Sequence, residues 1–164
     1  MEYYKLPFKS KVADSLLQKA KDTPVWRNYF NFDAIRVRQR ELLNDPFFAN
    51  LYRQYPYKCG ILRLRPNTFY DWHTDIGRGV SINLLLESQH SHTLFCKNYD
   101  KILGEFTELK YDLYSCYLFN NKIYHTVYNF EGYRYLFSLQ FNNKDLTFDD
   151  LYNKIINKEI KLHG

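Results

Sequence analysis

Hydrophobic and polar positions divide the chain into three stretches. Over residues 10–20, Val12, Leu16, Leu17 and Ala20 recur near helical spacing among polar neighbours, the pattern of an amphipathic helix. Residues 33–55 also read as helical, in two pieces, with Asp45 at the cap and Pro46 in the first turn of the second. From Tyr57 the period shortens. KCGILRLR places Cys59, Ile61, Arg63 and Arg65 on one side and Leu62 and Leu64 on the other, as a strand does; Arg63 and Arg65 are expected on a solvated sheet edge. After the turn signal Pro66-Asn67, short runs follow at 80–87, 92–98, 104–111, 112–119, 123–130 and 133–141. Turn formers separate them, among them Asn120-Asn121 and Glu131-Gly132. Six to eight short strands at regular spacing predict a β-sandwich or barrel. Thr147, with Asp150 three residues on, opens a last helix through a capping box, and Leu151, Ile155 and Ile160 form its apolar stripe. The expectation is one domain over 1–164: a mostly helical N-terminal cover at 1–56, a β core at 57–142 and a C-terminal helix at 145–162.

Composition narrows the class. At 164 residues, 45% hydrophobic and 25% charged, the chain has the make-up of a globular domain with a sizeable core. Its aromatic content of 19%, with 16 Tyr and 13 Phe, favours strands. No apolar run reaches the length of a membrane span, and the start lacks a secretory pattern. Cys59, Cys96 and Cys116 are scattered singly, which argues against a disulfide framework or a zinc knuckle and for a reducing cytoplasm; the plentiful Asn, Lys, Tyr and Phe hint that it is the cytoplasm of a microbial or virus-infected cell. A net charge of +5 permits nucleic-acid contact without demanding it; RVRQR at 36–40 reads as a solvated face, and nucleic acid is not the expected partner.

The chemistry gathers around FYDWHTDIGR at 69–78. On a strand or its edge, the two-residue period turns His73 and Asp75 to the same side. One more imidazole completes a two-histidine, one-carboxylate facial triad, the set that holds Fe(II) with open positions. His163 lies in the C-terminal tail; His90 and His92 fall in a hairpin connection, where a cupin-like HxH lacks a well-placed glutamate. His125, within a predicted strand, is the chosen partner. Nine residues later Arg134 stands among apolar and aromatic neighbours. A half-buried guanidinium needs an anion, and no acidic residue of the chain stands out to supply one.

His73-Thr74-Asp75, then His125, then Arg134 resembles the motif of the Fe(II)- and 2-oxoglutarate-dependent oxygenases. RLRPNTFYDWHTD and RGVSINLLL are similar to the surroundings of the first iron ligand in prolyl-hydroxylase-like and aspartyl/asparaginyl-hydroxylase-like members. The resemblance covers roughly residues 60–141. It implies a mainly β fold with flanking helices, built on a double-stranded β-helix (jelly-roll) core. It implies Fe(II) on His73, Asp75 and His125, and 2-oxoglutarate and O2 as co-substrates. Arg134 would grip the far carboxylate of 2-oxoglutarate, with Ser138, Tyr70 and Asn83 as further contacts. Arg78 and Trp72 are candidate substrate contacts. The reaction implied is hydroxylation of an unactivated C–H bond with release of succinate and CO2, first on a protein or peptide side chain, next on a free amino acid or small metabolite. A nucleic-acid base ranks third, because Gln140 stands where AlkB-type demethylases carry a second arginine. Asp75 departs from the aspartyl/asparaginyl type, which lacks the carboxylate ligand. The reading from another class is a non-catalytic jelly-roll binding module.

Overall fold

The computed structural model describes residues 1–101 and 104–162; His163 lies outside them. Strands β1 (Tyr3–Lys9), β2 (Arg27–Asn28), β3 (Asp33–Val37) and β4 (Tyr57–Leu64) open the chain with helices α1 (Ala13–Asp22) and α2 (Pro46–Gln54). Then come β5 (Thr68–His73), β6 (Val80–Glu87), β7 (His90–Lys97), β8 (Glu105–Glu108), β9 (Ser115–Asn120), β10 (Tyr124–Glu131), β11 (Arg134–Phe141) and α3 (Phe148–Ile156). They form a seven-stranded sheet in the order β1-β9-β6-β11-β4-β3-β2 and a four-stranded sheet in the order β5-β10-β7-β8. From β4 onward the chain crosses between the sheets and pairs antiparallel throughout. This is a double-stranded β-helix with flanking helices.

The helices cover the outer face of the larger sheet. Leu16 and Ala20 of α1, Phe47, Phe48 and Leu51 of α2, and Leu151 and Ile155 of α3 join Ile61, Ile82, Leu84, Leu118, Phe137 and Leu139 in one buried cluster. Burial of these side chains drives the fold, at about 1.5–3 kcal/mol for each large one. Leu84 faces the helices and Asn83 the interior, so VSINLLLE is buried on both faces and reads as a nearly continuous apolar run. Inside the barrel, Phe95, Leu109, Tyr117 and Phe119 form a smaller cluster and leave the rest of the interior as a cavity.

Local signals fix the helix starts. The Asp45 carboxylate accepts from the Phe47 amide at 3.2 Å. It also accepts from Ser10 Oγ at 3.2 Å and the Lys11 amide at 3.0 Å, which ties the start of α2 to the end of β1. The Thr147–Asp150 capping box opens α3.

Three expectations are corrected. Residues 1–56 are not mostly helical: β1 and β3 are strands of the larger sheet, and 33–37 is extended rather than the first of two helical pieces. β3 forms because β4 offers an open edge, and its leading polar residue is paired: Asp33 accepts from Arg63 Nε at 3.0 Å, Arg63 Nη2 at 2.7 Å and Asn28 Nδ2 at 2.6 Å. Arg63 therefore lies half-buried over the Trp26 ring, 4.3 Å from its centroid, rather than on a solvated edge. His90 and His92 belong to β7 and not to a hairpin connection. They pack with Phe130, with centroids 5.0 and 5.9 Å away, and neither lines the barrel cavity.

Candidate metal centre

His73 ends β5, and His125 stands directly opposite it on β10. Asp75 follows in the loop after β5. One nitrogen from each imidazole and one Asp75 oxygen all lie within 4.8 Å of one another, the only such group among the described residues. His73 Nε2 is 3.7 Å from Asp75 Oδ1, and His125 Nε2 is 3.9 Å from Asp75 Oδ2.

The chain fixes both rings. His73 Nδ1 meets the Asp71 carbonyl at 2.6 Å, and His125 Nδ1 meets the Ile123 carbonyl at 2.8 Å. A carbonyl only accepts, so each Nδ1 carries the proton and each Nε2 presents a lone pair, the tautomer a metal needs. The His73 ring stacks on Tyr70, centroids 3.9 Å apart, and the His125 ring stands edge-on to Phe119 at 4.8 Å. Burial pushes His125 down to about 4, so the imidazole is neutral at physiological pH. Asp75 is largely buried, which by itself raises a carboxyl, yet the Arg78 guanidinium and its other partners hold it below the usual carboxylate range. Two imidazoles and one carboxylate are the donor set of a ferrous site.

A β-bulge makes this arrangement possible. His125 pairs with His73 and Val127 with Tyr70, so two steps along β10 match three along β5. The extra residue turns both Tyr70 and His73 inward although they are an odd number apart. Trp72 goes outward, and its ring lies against Tyr99 (5.6 Å) and Phe106 (5.8 Å) on the far side of the smaller sheet. Trp72, a candidate substrate contact, therefore does not line the cavity.

From the triad a narrow cavity runs into the barrel between apolar walls that include Leu62, Leu64, Val127 and Leu136. At its far end is Arg134, 2% exposed. The guanidinium reaches from the larger sheet to the smaller one, donating from Nη2 to Thr93 Oγ1 at 3.1 Å. Its Nε has no partner, and no carboxylate of the described chain pairs with it. Desolvation lowers its pKa. The Tyr111 hydroxyl lies beside Arg134 and Asn83 without completing a hydrogen bond to either. Ser138 Oγ donates to Asn83 Oδ1 at 2.8 Å in the same cavity. Of the predicted residues, the structure thus gathers His73, Asp75, His125, Arg134, Ser138, Tyr70, Asn83 and Arg78 around one space. Sequence reasoning missed other polar residues that line it, among them Thr93, Tyr111 and Asn121. Tyr111 is one of sixteen tyrosines and Asn121 reads as a turn residue, so neither carried a signal.

A groove open to solvent continues the cavity at Asp75 and Arg78, between Tyr29 and Phe32 on one side and Ile76 on the other. No helix among the described residues is long and apolar enough to cross a membrane.

No family model matches the sequence, and no curated protein matches it. Solved structures do match the fold. A Pseudomonas putida prolyl-4-hydroxylase superposes with a TM-score of 0.64 at 13% identity, covering 85% of this chain and 91% of that one. A Trichoplax adhaerens prolyl hydroxylase in complex with a hypoxia inducible factor peptide fragment gives 0.62 at 14% identity, over 85% and 77%. HygX from Streptomyces hygroscopicus, with nickel and 2-oxoglutarate bound, gives 0.58 at 11% identity, over 89% and 84%. At these identities the likeness is one of fold, the double-stranded β-helix shared with the iron- and 2-oxoglutarate-dependent oxygenases.

Proposed function

We propose that the chain is an Fe(II)- and 2-oxoglutarate-dependent oxygenase that hydroxylates a C–H bond, with a protein or peptide side chain as substrate. One observation carries the reading: a two-histidine, one-carboxylate group and a buried arginine without an anion share a single cavity. An unpaired buried guanidinium is costly, and a dicarboxylate reaching inward from the metal supplies the missing charge.

His73 Nε2, His125 Nε2 and Asp75 would hold the iron, and three ligands leave open positions for small molecules. Arg134, with Thr93 and Tyr111 beside it, would bind the far carboxylate of 2-oxoglutarate through charge-assisted hydrogen bonds; Ser138 and Asn83 line the approach. When bound, iron and 2-oxoglutarate supply the oxidising chemistry, in which the co-substrate becomes succinate and CO2 and one oxygen atom goes to the substrate. The chain's own contribution is placement and exclusion of water. Tyr70 fixes the His73 ring, and the apolar walls dry the cavity. The open groove beside Asp75 suits an extended polypeptide. The peptide complex of the Trichoplax neighbour supports that substrate class, and the nickel and 2-oxoglutarate of HygX support the cofactors.

The test incubates the protein with Fe(II), 2-oxoglutarate, ascorbate and peptide pools. Mass spectra are searched for a gain of one oxygen, matched by succinate. Oxygenated peptide that disappears with Asp75→Ala supports the reading. Oxygenation of free amino acids or metabolites alone replaces the peptide by a small molecule. No succinate above the Asp75→Ala level, from folded protein, defeats the oxygenase assignment.

A further inference from the structure

Asp75 lies in a loop, where a ligand needs a support that a strand would otherwise give. That support comes from the turn between β9 and β10. The Asp75 amide donates to the Asn121 carbonyl at 3.0 Å, and the Asn121 amide donates to the Gly79 carbonyl at 3.1 Å. The Asn121 side chain, 2% exposed, donates from Nδ2 to Asp75 Oδ2. Arg78 Nη2 meets the same oxygen at 2.9 Å. Asp75 Oδ1 accepts no hydrogen bond among the described residues. Both donors therefore fall on one carboxylate oxygen, and the other is left free beside His73.

We infer that Asn121 and Arg78 are positioning residues: together they clamp Oδ2 so that Asp75 binds the metal through Oδ1 alone, and the strength of the clamp sets the metal affinity. The inference rests on the proposed metal centre. Two donors on Oδ2 disfavour a bidentate carboxylate, because the metal would have to displace both. One-point binding keeps a coordination position open. The clamp also fixes the carboxylate before metal arrives, so less side-chain freedom is lost on binding. Gly79 keeps the loop in place, since a Cβ there would lie 2.6 Å from the Leu146 carbonyl oxygen. The Asn121 Oδ1 atom is buried and unpartnered in the cavity wall; it has an acceptor to offer a donor bound at the metal.

Outer partners of this kind typically change metal affinity 10–100-fold. Co(II) is the probe, titrated by its ligand-field absorption into wild type, Asn121→Ala, Arg78→Gln, Asp75→Ala and the two double variants, with melting curves as the folding control. Asn121→Ala and Arg78→Gln are each expected to weaken Co(II) binding about 10–100-fold when Asp75 is present. In the Asp75→Ala background each is expected to change it less than about twofold, because the pair acts through that carboxylate. Arg78 is partly exposed, so its variant carries the test free of any packing loss at Asn121. Unchanged affinity with Asp75 present overturns the clamp and leaves the metal centre standing. The same loss with and without Asp75 also overturns the clamp, since a general structural effect would give it. A wild type that binds no Co(II) overturns the metal centre and the clamp together.

Discussion

Arg134→Met is predicted to push two measurements in opposite directions. The guanidinium is buried, has one hydrogen bond, to Thr93, and leaves Nε unpartnered. Removing two charges from water into a protein interior and pairing them badly often costs more than an apolar replacement, by about 1–4 kcal/mol. Here no counter-charge is present among the described residues. Met has a comparable reach and adapts to irregular space. The free variant should therefore match or exceed the wild type by up to about 3 kcal/mol, a rise in Tm of up to about 10 °C for a chain of this length. With Mn(II) in place of iron and 2-oxoglutarate at about 100 times its Kd, the wild type should gain about 2.7 kcal/mol from ligand binding. The variant should gain less than about 1 kcal/mol at that concentration, because losing a buried charge-assisted contact costs about 2–5 kcal/mol of affinity. Urea titrations and melting curves, with and without Mn(II) and 2-oxoglutarate, read both effects. A variant more than about 1 kcal/mol less stable than wild type, or one stabilised equally by 2-oxoglutarate, would refute the reasoning that this arginine awaits an external carboxylate.

Other expectations follow from the same geometry. His125 is buried neutral, its pKa lowered from 6.5 to about 4, so the unfolded chain binds more protons between those values. Its contribution is complete above about pH 6.5 and is lost as pH falls towards 4. Metal-free protein should lose about 2 kcal/mol between pH 7 and pH 5 from this residue, and urea titrations of His125→Asn should show that slope flattened. Tyr111→Phe removes one hydroxyl beside Arg134 and should raise the Kd for 2-oxoglutarate roughly tenfold, with Co(II) affinity unchanged in the same titration. Asp45→Ala deletes the cap of α2 and two hydrogen bonds to the end of β1. It should cost about 2–4 kcal/mol and lower Tm by roughly 5–15 °C, without changing metal stoichiometry.

What the sequence reveals depends on where the controlling interaction lies. Val80–Glu87 and Arg134–Phe141 are continuous apolar strands between clear turn formers, so their limits follow almost residue by residue. The caps at Asp45 and Thr147 are local, and local chemistry is readable. β1 is an edge strand carrying Pro7, which breaks a strand pattern yet is tolerated at an edge. β3 takes its extended form from pairing with β4, so its short polar sequence gives no lead. The same division holds in the cavity. His73, Asp75, His125 and Arg134 stand out because their residue types and spacing are rare together. Tyr70 and Trp72 depend on a bulge that reverses the expected alternation, and no periodicity announces it. Thr93, Tyr111 and Asn121 are ordinary strand, loop and turn residues until folding brings them to Arg134 and Asp75.

The central claim is that one cavity holds a ferrous ion at one end and a dicarboxylate at the other. Anaerobic addition of Fe(II) and then 2-oxoglutarate tests it most directly through the weak visible charge-transfer band of the chelated pair. The band is predicted to appear in the wild type, to vanish in Asp75→Ala, whose weakened metal affinity leaves the site largely empty at that Fe(II) concentration, and to vanish in Arg134→Met at the same co-substrate concentration although the metal still binds. Folded wild-type protein that takes up Fe(II) but shows no band under saturating 2-oxoglutarate would contradict the account.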